Sequence, residues 1–540
     1  MSRINFPRFL RPAETVAGAA LVIAVLSVLS RVLGVVRDRI LAGTFGAGHT
    51  LDMYYAAFRF PDLIFNLLVL GALSAGFIPM FTSLWSGEER ERAWRLTNNI
   101  LNILCALLAL LCGLGIIGAP LIVRLVAPGF APETLPTLIT LTRIMFLSPF
   151  LLGLSSIVGS VLQSRRRFFV YSLSPIFYNL GIIAGALLLV PRFGVTGLGW
   201  GVALGSLAHL AVQLPTFRGL GFHYQKVFDW RDKSVRAVFR MMSARTIGLA
   251  VTQINLMVIT IIASTLATGS LTVFNLANNL QSFPVSIFGI SFALAVFPLM
   301  SAKPTPENIT TLFSRTFRQI MFFIIPAMVI MLSLRAHVVR LVLGSGQFDW
   351  NATILTVDTL ALFIISFFAQ ATLPLLTRSF YAQSNSRTPL YAGLVAEVAN
   401  VSLTLYFARL YGAPGLALGF SLSSIINFSL LFILLRRSVG NLDEKRIIRS
   451  VFKYTVAAIC ATIAIQAMKL LIWPYADLTR FWGVLLQASA AGLFGSLVYL
   501  AVCSLLKSEE FIELWQAFKQ RFGVKRPKLE IDDQGEARGI

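Results

Sequence analysis

Ser30-Arg31-Val32-Leu33-Gly34-Val35-Val36-Arg37-Asp38 places two arginines and an aspartate inside a stretch that otherwise reads as a membrane-spanning helix. A charge at bilayer depth costs at least ~2.5–3.5 kcal/mol on insertion scales, so such residues face a watery cavity or a partner and mark a polar path through the membrane. The rest of the chain sets the context. Of 540 residues, 56% are hydrophobic and only 13% charged, and the mean hydropathy is +0.76, far too apolar for a soluble globular protein.

A helical span needs about 20 apolar residues. On that basis about fourteen segments emerge, in the intervals 16–38, 51–83, 97–124, 135–162, 168–190, 195–217, 237–265, 271–300, 311–335, 353–379, 388–411, 414–435, 451–473 and 481–506. The runs are continuous rather than alternating with period two, which excludes a β-barrel. The fold class is an all-α polytopic membrane protein. Span 1 follows Arg3, Arg8 and Arg11 but exceeds the roughly 7–15-residue core of a secretory signal, so it reads as a retained helix.

The net charge of +22 would suit nucleic acid, yet the cations fall where topology signals belong. Arg165-Arg166-Arg167 and the loops at 218–240 and 436–453 mark the inner side, whereas the 265–271 connection has no Lys or Arg. This pattern predicts both termini in the cytoplasm and no nucleic-acid partner. Cys105, Cys112, Cys460 and Cys503 all lie in apolar spans and read as packing residues rather than disulfides or zinc ligands.

The two halves of the chain resemble each other. Gly194-Val195-Thr196-Gly197-Leu198-Gly199 answers Gly412-Ala413-Pro414-Gly415-Leu416-Ala417, and Phe77-Ile78-Pro79-Met80 answers Val296-Phe297-Pro298-Leu299, at an offset of about 218. Gln163-Ser164 answers Gln383-Ser384, and Ser30-Arg31 answers Ala244-Arg245. Collinear matches at nearly one offset predict an internal duplication of six spans, and an even number leaves the two units parallel in the membrane. The expected organisation is a first lobe at 1–217 with spans 1–6, a cytoplasmic linker at 218–240, a second lobe at 241–436 with spans 7–12, spans 13–14 at 437–506, and a cytoplasmic tail at 507–540. Two six-helix lobes suit a transporter that rocks around a central site.

Charges within spans concentrate in the first lobe. Arg31, Arg37, Asp38, Asp52 and Arg59 form the leading set of transport residues, and Asp62, Arg143, Arg245, Asn255, Asn279, Gln281 and Glu397 are further cavity candidates. Arg31 and Asp38, seven residues apart, share a helix face with about 10 Å between them along the axis; Asp52 and Arg59 repeat that spacing. The alternative is local ion pairing, Arg37 with Asp38 and Arg59 with Asp62. A net positive cavity favours an anion, and planar guanidinium groups suit phosphate, so a diphosphate is a natural ligand. Glu397 is a lone carboxylate that either carries a coupling proton or pairs with Arg245 or a backbone group.

The run Ser30 to Asp38, followed by Phe45-Gly46-Ala47-Gly48, Asp52 and Phe58-Arg59-Phe60-Pro61, resembles the start of the MurJ/MviN family of lipid II flippases. So do Leu162-Gln163-Ser164-Arg165-Arg166-Arg167-Phe168, Ser174-Pro175-Ile176-Phe177-Tyr178-Asn179-Leu180-Gly181, and Phe283-Pro284-Val285-Ser286-Ile287-Phe288-Gly289-Ile290. The resemblance implies a fourteen-helix member of the MOP exporter superfamily, with two lobes around a cationic cavity and two extra helices forming a groove for a lipid tail. It implies transfer of the undecaprenyl-diphosphate-linked disaccharide-pentapeptide, lipid II, from the inner to the outer leaflet of the bacterial inner membrane, with other cell-wall synthesis proteins as further partners. By position, Arg31, Arg37, Asp38, Asp52 and Arg59 fall on the family's polar residues of spans 1 and 2.

The chain departs from the family's pattern at several places. Phe65-Asn66 stands where span 2 commonly has arginine, Leu70 where it has an acid, and Asn279 where span 8 has arginine. Some members carry a sodium site on spans 7, 11 and 12; Asn400 fits it and Thr404 is a weak candidate, but Ile259 and Thr404 stand where carboxylates are expected. Coupling to membrane potential, to protons or to sodium all remain open, and no cofactor is expected. The runner-up function is a related exporter of lipid-linked polysaccharide units or amphipathic drugs. An enzyme is not expected, because the chain has four histidines, no nucleotide-binding loop and little beyond Glu133 and Asp349 on the outer loops.

Overall fold

A computed structural model describes the backbone of residues 16–70 and 76–522; the side chains at 16–21, 70, 242–245, 247–249, 517, 518 and 520–522 lie outside that description. Arg3, Arg8, Arg11 and the chain beyond 522 are outside the described residues, as is the side chain of Arg245.

The described chain is helical nearly throughout. The first half contains α1 (Val16–Phe45), α2 (His49–Phe65), α3 (Ile78–Ser86), α4 (Arg90–Val126), α5 (Leu135–Met145), α6 (Leu147–Ser164), α7 (Phe168–Ala184), α8 (Val190–Phe193), α9 (Thr196–Ala211) and α10 (Leu214–Arg218). The second contains α11 (Lys233–Ser264), α12 (Ser270–Pro284), α13 (Ser291–Ala302), α14 (Pro306–Ser333), α15 (Arg335–Leu343), α16 (Trp350–Ile364), α17 (Phe367–Ala382), α18 (Arg387–Tyr411) and α19 (Ala413–Val439). The C-terminal helices α20 (Glu444–Ile472), α21 (Phe481–Leu505) and α22 (Glu509–Phe522) follow. Among the described residues, ten helical segments are long and apolar enough to cross a membrane, or eleven if α16 and α17, bent by 45°, form one span. The expected intervals 16–38, 51–83 and 237–265 fall on α1, on α2 with α3, and on α11, which that count omits. Helix α2 carries Asp52, Arg59 and Asp62 within its 17 residues.

Small residues set the closest helix crossings. A methyl group at Gly181 of α7 would come within 2.2 Å of Gly205 Cα on α9, and one at Gly185 within 2.5 Å of Gly201 Cα. Glycines four apart lie on one face, so the two backbones touch along that stripe, as membrane helices do where apolar burial gives no drive to associate.

Local features recur at spacings of 215–219 residues. Ser148 Oγ and Ser206 Oγ, 2.7 Å apart, join α6 to α9, and Ser366 Oγ donates to Ser421 Oγ at 3.0 Å where α17 meets α19. Gly194 and Gly412 precede α9 and α19 with φ of +61° and +63°. Each of α2 and α12 runs into a π-helical turn, Asn66–Leu70 and Val285–Ile290.

Two segments expected as plain linker and tail are held in place. Residues 223–229, without regular secondary structure, run along α4, where Asn98, Asn99 and Asn102 bond their backbone groups: Asn98 Nδ2 donates to the His223 carbonyl at 3.0 Å, Asn102 Nδ2 to the Val227 carbonyl at 2.8 Å, and Asn99 both donates to and accepts from Asp229. Helix α22 lies within the span expected as tail. Its Glu510 pairs with buried Arg318 of α14, and Glu509 is shared between Arg318 at 3.0 Å and Arg446 of α20 at 2.6 Å.

Candidate functional site

Among the described residues, three cavities of about 490–750 Å³ open inside the bundle and are lined by predicted residues or their neighbours. The largest of these three, about 750 Å³, lies between α1, α12 with its π turn, α14 and α15, and is lined by Arg31, Arg37, Asp38, Asn279, Ser282 and Ser286 among largely apolar neighbours such as Phe283, Ile330 and Met331. A second, about 550 Å³, lies within the first lobe between α1, α6, α7 and α9, and Arg31 lines it as well. A third, about 490 Å³, lies within the second lobe between α11, α17, α18 and α19.

The charged group on the central cavity is a connected cluster. Arg37 gives Nε and Nη2 to Asp38 Oδ1 at 3.0 and 2.8 Å, and Nη1 to Asn179 Oδ1 of α7 at 2.9 Å. Asn279 of α12 donates from Nδ2 to Asp38 Oδ2 at 3.0 Å, so α1 is tied to both lobes at one point. Arg31 is exposed; its Nη1 donates to Ser286 Oγ at 3.1 Å and its guanidinium lies 5.7 Å from the Phe283 ring centre. A guanidinium has five N–H donors, so Arg31 keeps most of its donors for a ligand while Arg37 is largely engaged. Two cations against one carboxylate leave the cluster net positive, which favours an anion in so apolar a surround.

The remaining predicted residues lie elsewhere. Asp52, buried, accepts from Gly269 N at 2.6 Å, Thr272 N at 2.8 Å and Thr272 Oγ1 at 2.7 Å. It caps the N-terminus of α12 from the other lobe, using the backbone donors that a helix start leaves free. Arg59 does not pair with Asp62, which is half-buried; its Nε donates to Thr260 Oγ1 at 2.8 Å and its Nη2 to Asn275 Oδ1. Gln281 is buried and bonded to Gln370 of α17, and Arg143 is exposed, donating to the Ile116 carbonyl. Asn255 and Glu397 line the third cavity rather than the central one. Asn400 donates to Asn255 there and accepts from Thr404 Oγ1 at 3.1 Å, so the sodium-site candidates bond to each other. Among the described residues no three His, Cys, Asp or Glu groups converge to hold a metal.

Asn179 stands in the Ser174–Gly181 run that carries the resemblance, but spacing and charge alone do not single it out as a partner of Arg37. An amide among apolar residues one turn after Pro175 was the available signal. Ser286 and Thr260, the hydroxyl partners of the arginines, gave none.

The family model described as "Lipid II flippase MurJ" matches residues 41–484. The chain belongs to the MurJ family. The probable lipid II flippase MurJ of Vibrio cholerae serotype O1 is 27% identical over 509 residues, covering 90% of this chain and 95% of that protein. The lipid II flippase MurJ of Burkholderia cenocepacia is 26% identical over 432 residues, covering 78% and 83%. In fold, the chain matches an inward closed lipid II flippase MurJ with a TM-score of 0.74 and 23% identity, over 92% of this chain and all of that one. An inward-facing multidrug resistance MATE transporter of the MOP superfamily matches with 0.65 and 14% identity, over 79% and 99%. MurJ membership makes this a multi-pass membrane protein of a transport family, and its fold is the one shared by the MurJ and MATE structures.

Proposed function

We propose that the chain is a lipid II flippase, moving the undecaprenyl-diphosphate-linked disaccharide-pentapeptide from the inner to the outer leaflet of the bacterial inner membrane by alternating access. The observation that carries this is the Arg31, Arg37, Asp38, Asn179 and Asn279 cluster on a largely apolar cavity shared by the two lobes. In this reading Arg31 meets the diphosphate first, and Arg37 exchanges part of its hold on Asp38 for a phosphate oxygen. The group acts by binding and exposure, with no bond made or broken in the substrate.

The reading takes fourteen spans in two parallel lobes, both termini in the cytoplasm, and membrane lipids around the bundle, with other cell-wall synthesis proteins as partners. Export of an anionic headgroup runs with an inside-negative potential, worth about 2.3 kcal/mol per charge per 100 mV, so membrane potential supplies a drive without a coupling ion. Glu397, in a separate cavity, is where a coupling proton would reside. The test is complementation of a bacterium depleted of its own flippase, with lipid II at the outer leaflet as the readout. Restored exposure supports the proposal; a well-expressed chain that restores none overturns it and favours export of another lipid-linked or amphipathic cargo.

A further inference from the structure

The cavity of about 550 Å³ inside the first lobe plays no part in the diphosphate site beyond sharing Arg31. Its walls differ in kind from those of the central cavity. Ser27, Ser30, Ser155, Ser156, Ser160 and Ser172 all line it, with Gln213, His209 and Tyr171. Several of these hydroxyls are anchored: Ser156 and Ser160 donate to the carbonyls one turn back, at 2.7 and 2.8 Å, and Ser155 bonds His209 Nδ1 at 2.7 Å. Donating its proton leaves a hydroxyl oxygen with lone pairs to offer, so these serines present acceptors to the space they enclose.

Among the described residues, two buried polar atoms at this cavity have no hydrogen-bond partner. Gln213 is 1% exposed and holds its Nε2 on Ser155 Oγ at 2.8 Å, yet its Oε1 is buried and accepts nothing. Ser172 is 7% exposed and its Oγ is likewise unpartnered. A buried acceptor without a donor is costly, and such groups in a native structure ask for an explanation. Gly159 packs directly on the Gln213 amide: a methyl group there would sit 3.0 Å from Gln213 Oε1 and 3.1 Å from the Tyr171 ring, tighter than an ordinary contact.

The second lobe supplies a comparison. The residues 218 positions after Ser155, Ser172 and Gln213 are Leu373, Leu390 and Leu431, and all three line the cavity within that lobe. A cavity formed between the corresponding helices therefore does not need polar groups at these places to fold. At these three positions the first lobe carries a polar side chain where the second carries leucine.

We propose that this cavity is the subsite for the sugar portion of the lipid-linked substrate, with Arg31 at its boundary placing the diphosphate between it and the central cavity. The ligand class follows from the donors and acceptors. An unpartnered carbonyl oxygen wants a hydroxyl or amide proton, which a sugar and its N-acetyl groups supply and a phosphate does not. The volume lies within the roughly 300–1,000 Å³ of pockets that enclose small ligands.

The inference rests on the lipid II reading, and the experiment separates the two. Native mass spectrometry of the full-length protein would compare its binding of lipid II with that of undecaprenyl diphosphate, which lacks the sugars. The wild type is expected to prefer lipid II. Gln213→Leu and Ser172→Ala should each cut lipid II binding roughly 3- to 10-fold, the worth of one hydrogen bond, and leave undecaprenyl diphosphate binding unchanged. Gly159→Ala, which alters no polar group, should have the same selective effect because its methyl crowds Gln213 and the Tyr171 ring and displaces them. Selective loss in any variant that still binds undecaprenyl diphosphate supports the subsite. A preference for lipid II kept intact in all three variants overturns it and leaves the flippase reading standing, whereas a wild type that binds neither lipid overturns the flippase reading itself.

Discussion

Asn279 Nδ2 donates to Asp38 Oδ2 at 3.0 Å while Arg37 holds the other oxygen of the same carboxylate at 2.8 Å. The position at which relatives are expected to carry an arginine is thus still in the charged cluster, as a neutral donor. Asn279→Arg would add a third cation beside Arg37. We expect it to raise affinity for undecaprenyl diphosphate by about 10- to 100-fold at low salt, the worth of a charge-assisted hydrogen bond. Titration at two salt concentrations checks this, since added ionic contact should also steepen the salt dependence. An unchanged affinity would mean that residue 279 does not face the anion.

Asp52 should behave as a structural residue. It supplies the cap of α12, with three hydrogen bonds from Gly269 and Thr272. Loss of a helix cap costs about 0.5–2 kcal/mol, and here it also leaves buried donors unsatisfied. Asp52→Ala is expected to lower the thermal midpoint in nanodiscs while leaving undecaprenyl diphosphate affinity within about twofold. A loss of affinity in a variant of unchanged stability would return Asp52 to the transport site.

The separation between what sequence spacing revealed and what it missed has a physical basis. Period, length and charge placement locate the helices and single out Arg31, Arg37 and Asp38, because a charge in a span is costly wherever it sits. They do not say which way a side chain turns once two lobes pack. Asp52 and Arg59 share a face of α2, seven residues apart, yet their partners Thr272 and Thr260 lie more than 200 residues away on α12 and α11. Arg143 and Glu397 were legible as costly but not as remote from Arg37, for the same reason. The pairing of Asn179 with Arg37 is equally long-range.

The Gly181–Gly205 and Gly185–Gly201 crossing leaves no room for a side chain. Gly201→Leu should force α7 and α9 apart. We expect loss of the monodisperse protein in detergent, whereas Gly113→Leu, at a glycine with no atom within 4 Å of its missing Cβ, should be tolerated. Equal recovery of the two variants would contradict the crossing.

Helix α22 should detach in two ways. Arg318→Ala leaves Glu510 buried without its cation, a change that costs about 3–5 kcal/mol when a buried pair is broken. Acid acts through Glu509, whose carboxyl is held below its ordinary value of 4.5 by hydrogen bonds from Arg446. A depressed carboxyl contributes stability above its ordinary pKa and loses it as pH falls through the depressed value, so docking should weaken below about pH 4.5 and be unaffected between pH 6 and 8. Hydrogen exchange across 509–522 reads both effects; protection that persists in Arg318→Ala would show the Arg318–Glu510 pair to be dispensable for docking.

The central claim is that the Arg31 and Arg37 cluster carries a diphosphate-linked lipid across the bilayer. Its most direct test is reconstitution into vesicles containing fluorescent lipid II, with a membrane-impermeant quencher added outside and a potential applied. The account predicts that wild-type protein renders the inner-leaflet pool quenchable, faster when the protected side is negative, and that folded Arg37→Ala does not. Quenching no greater than in protein-free vesicles at either polarity, or full activity in Arg37→Ala, would contradict it.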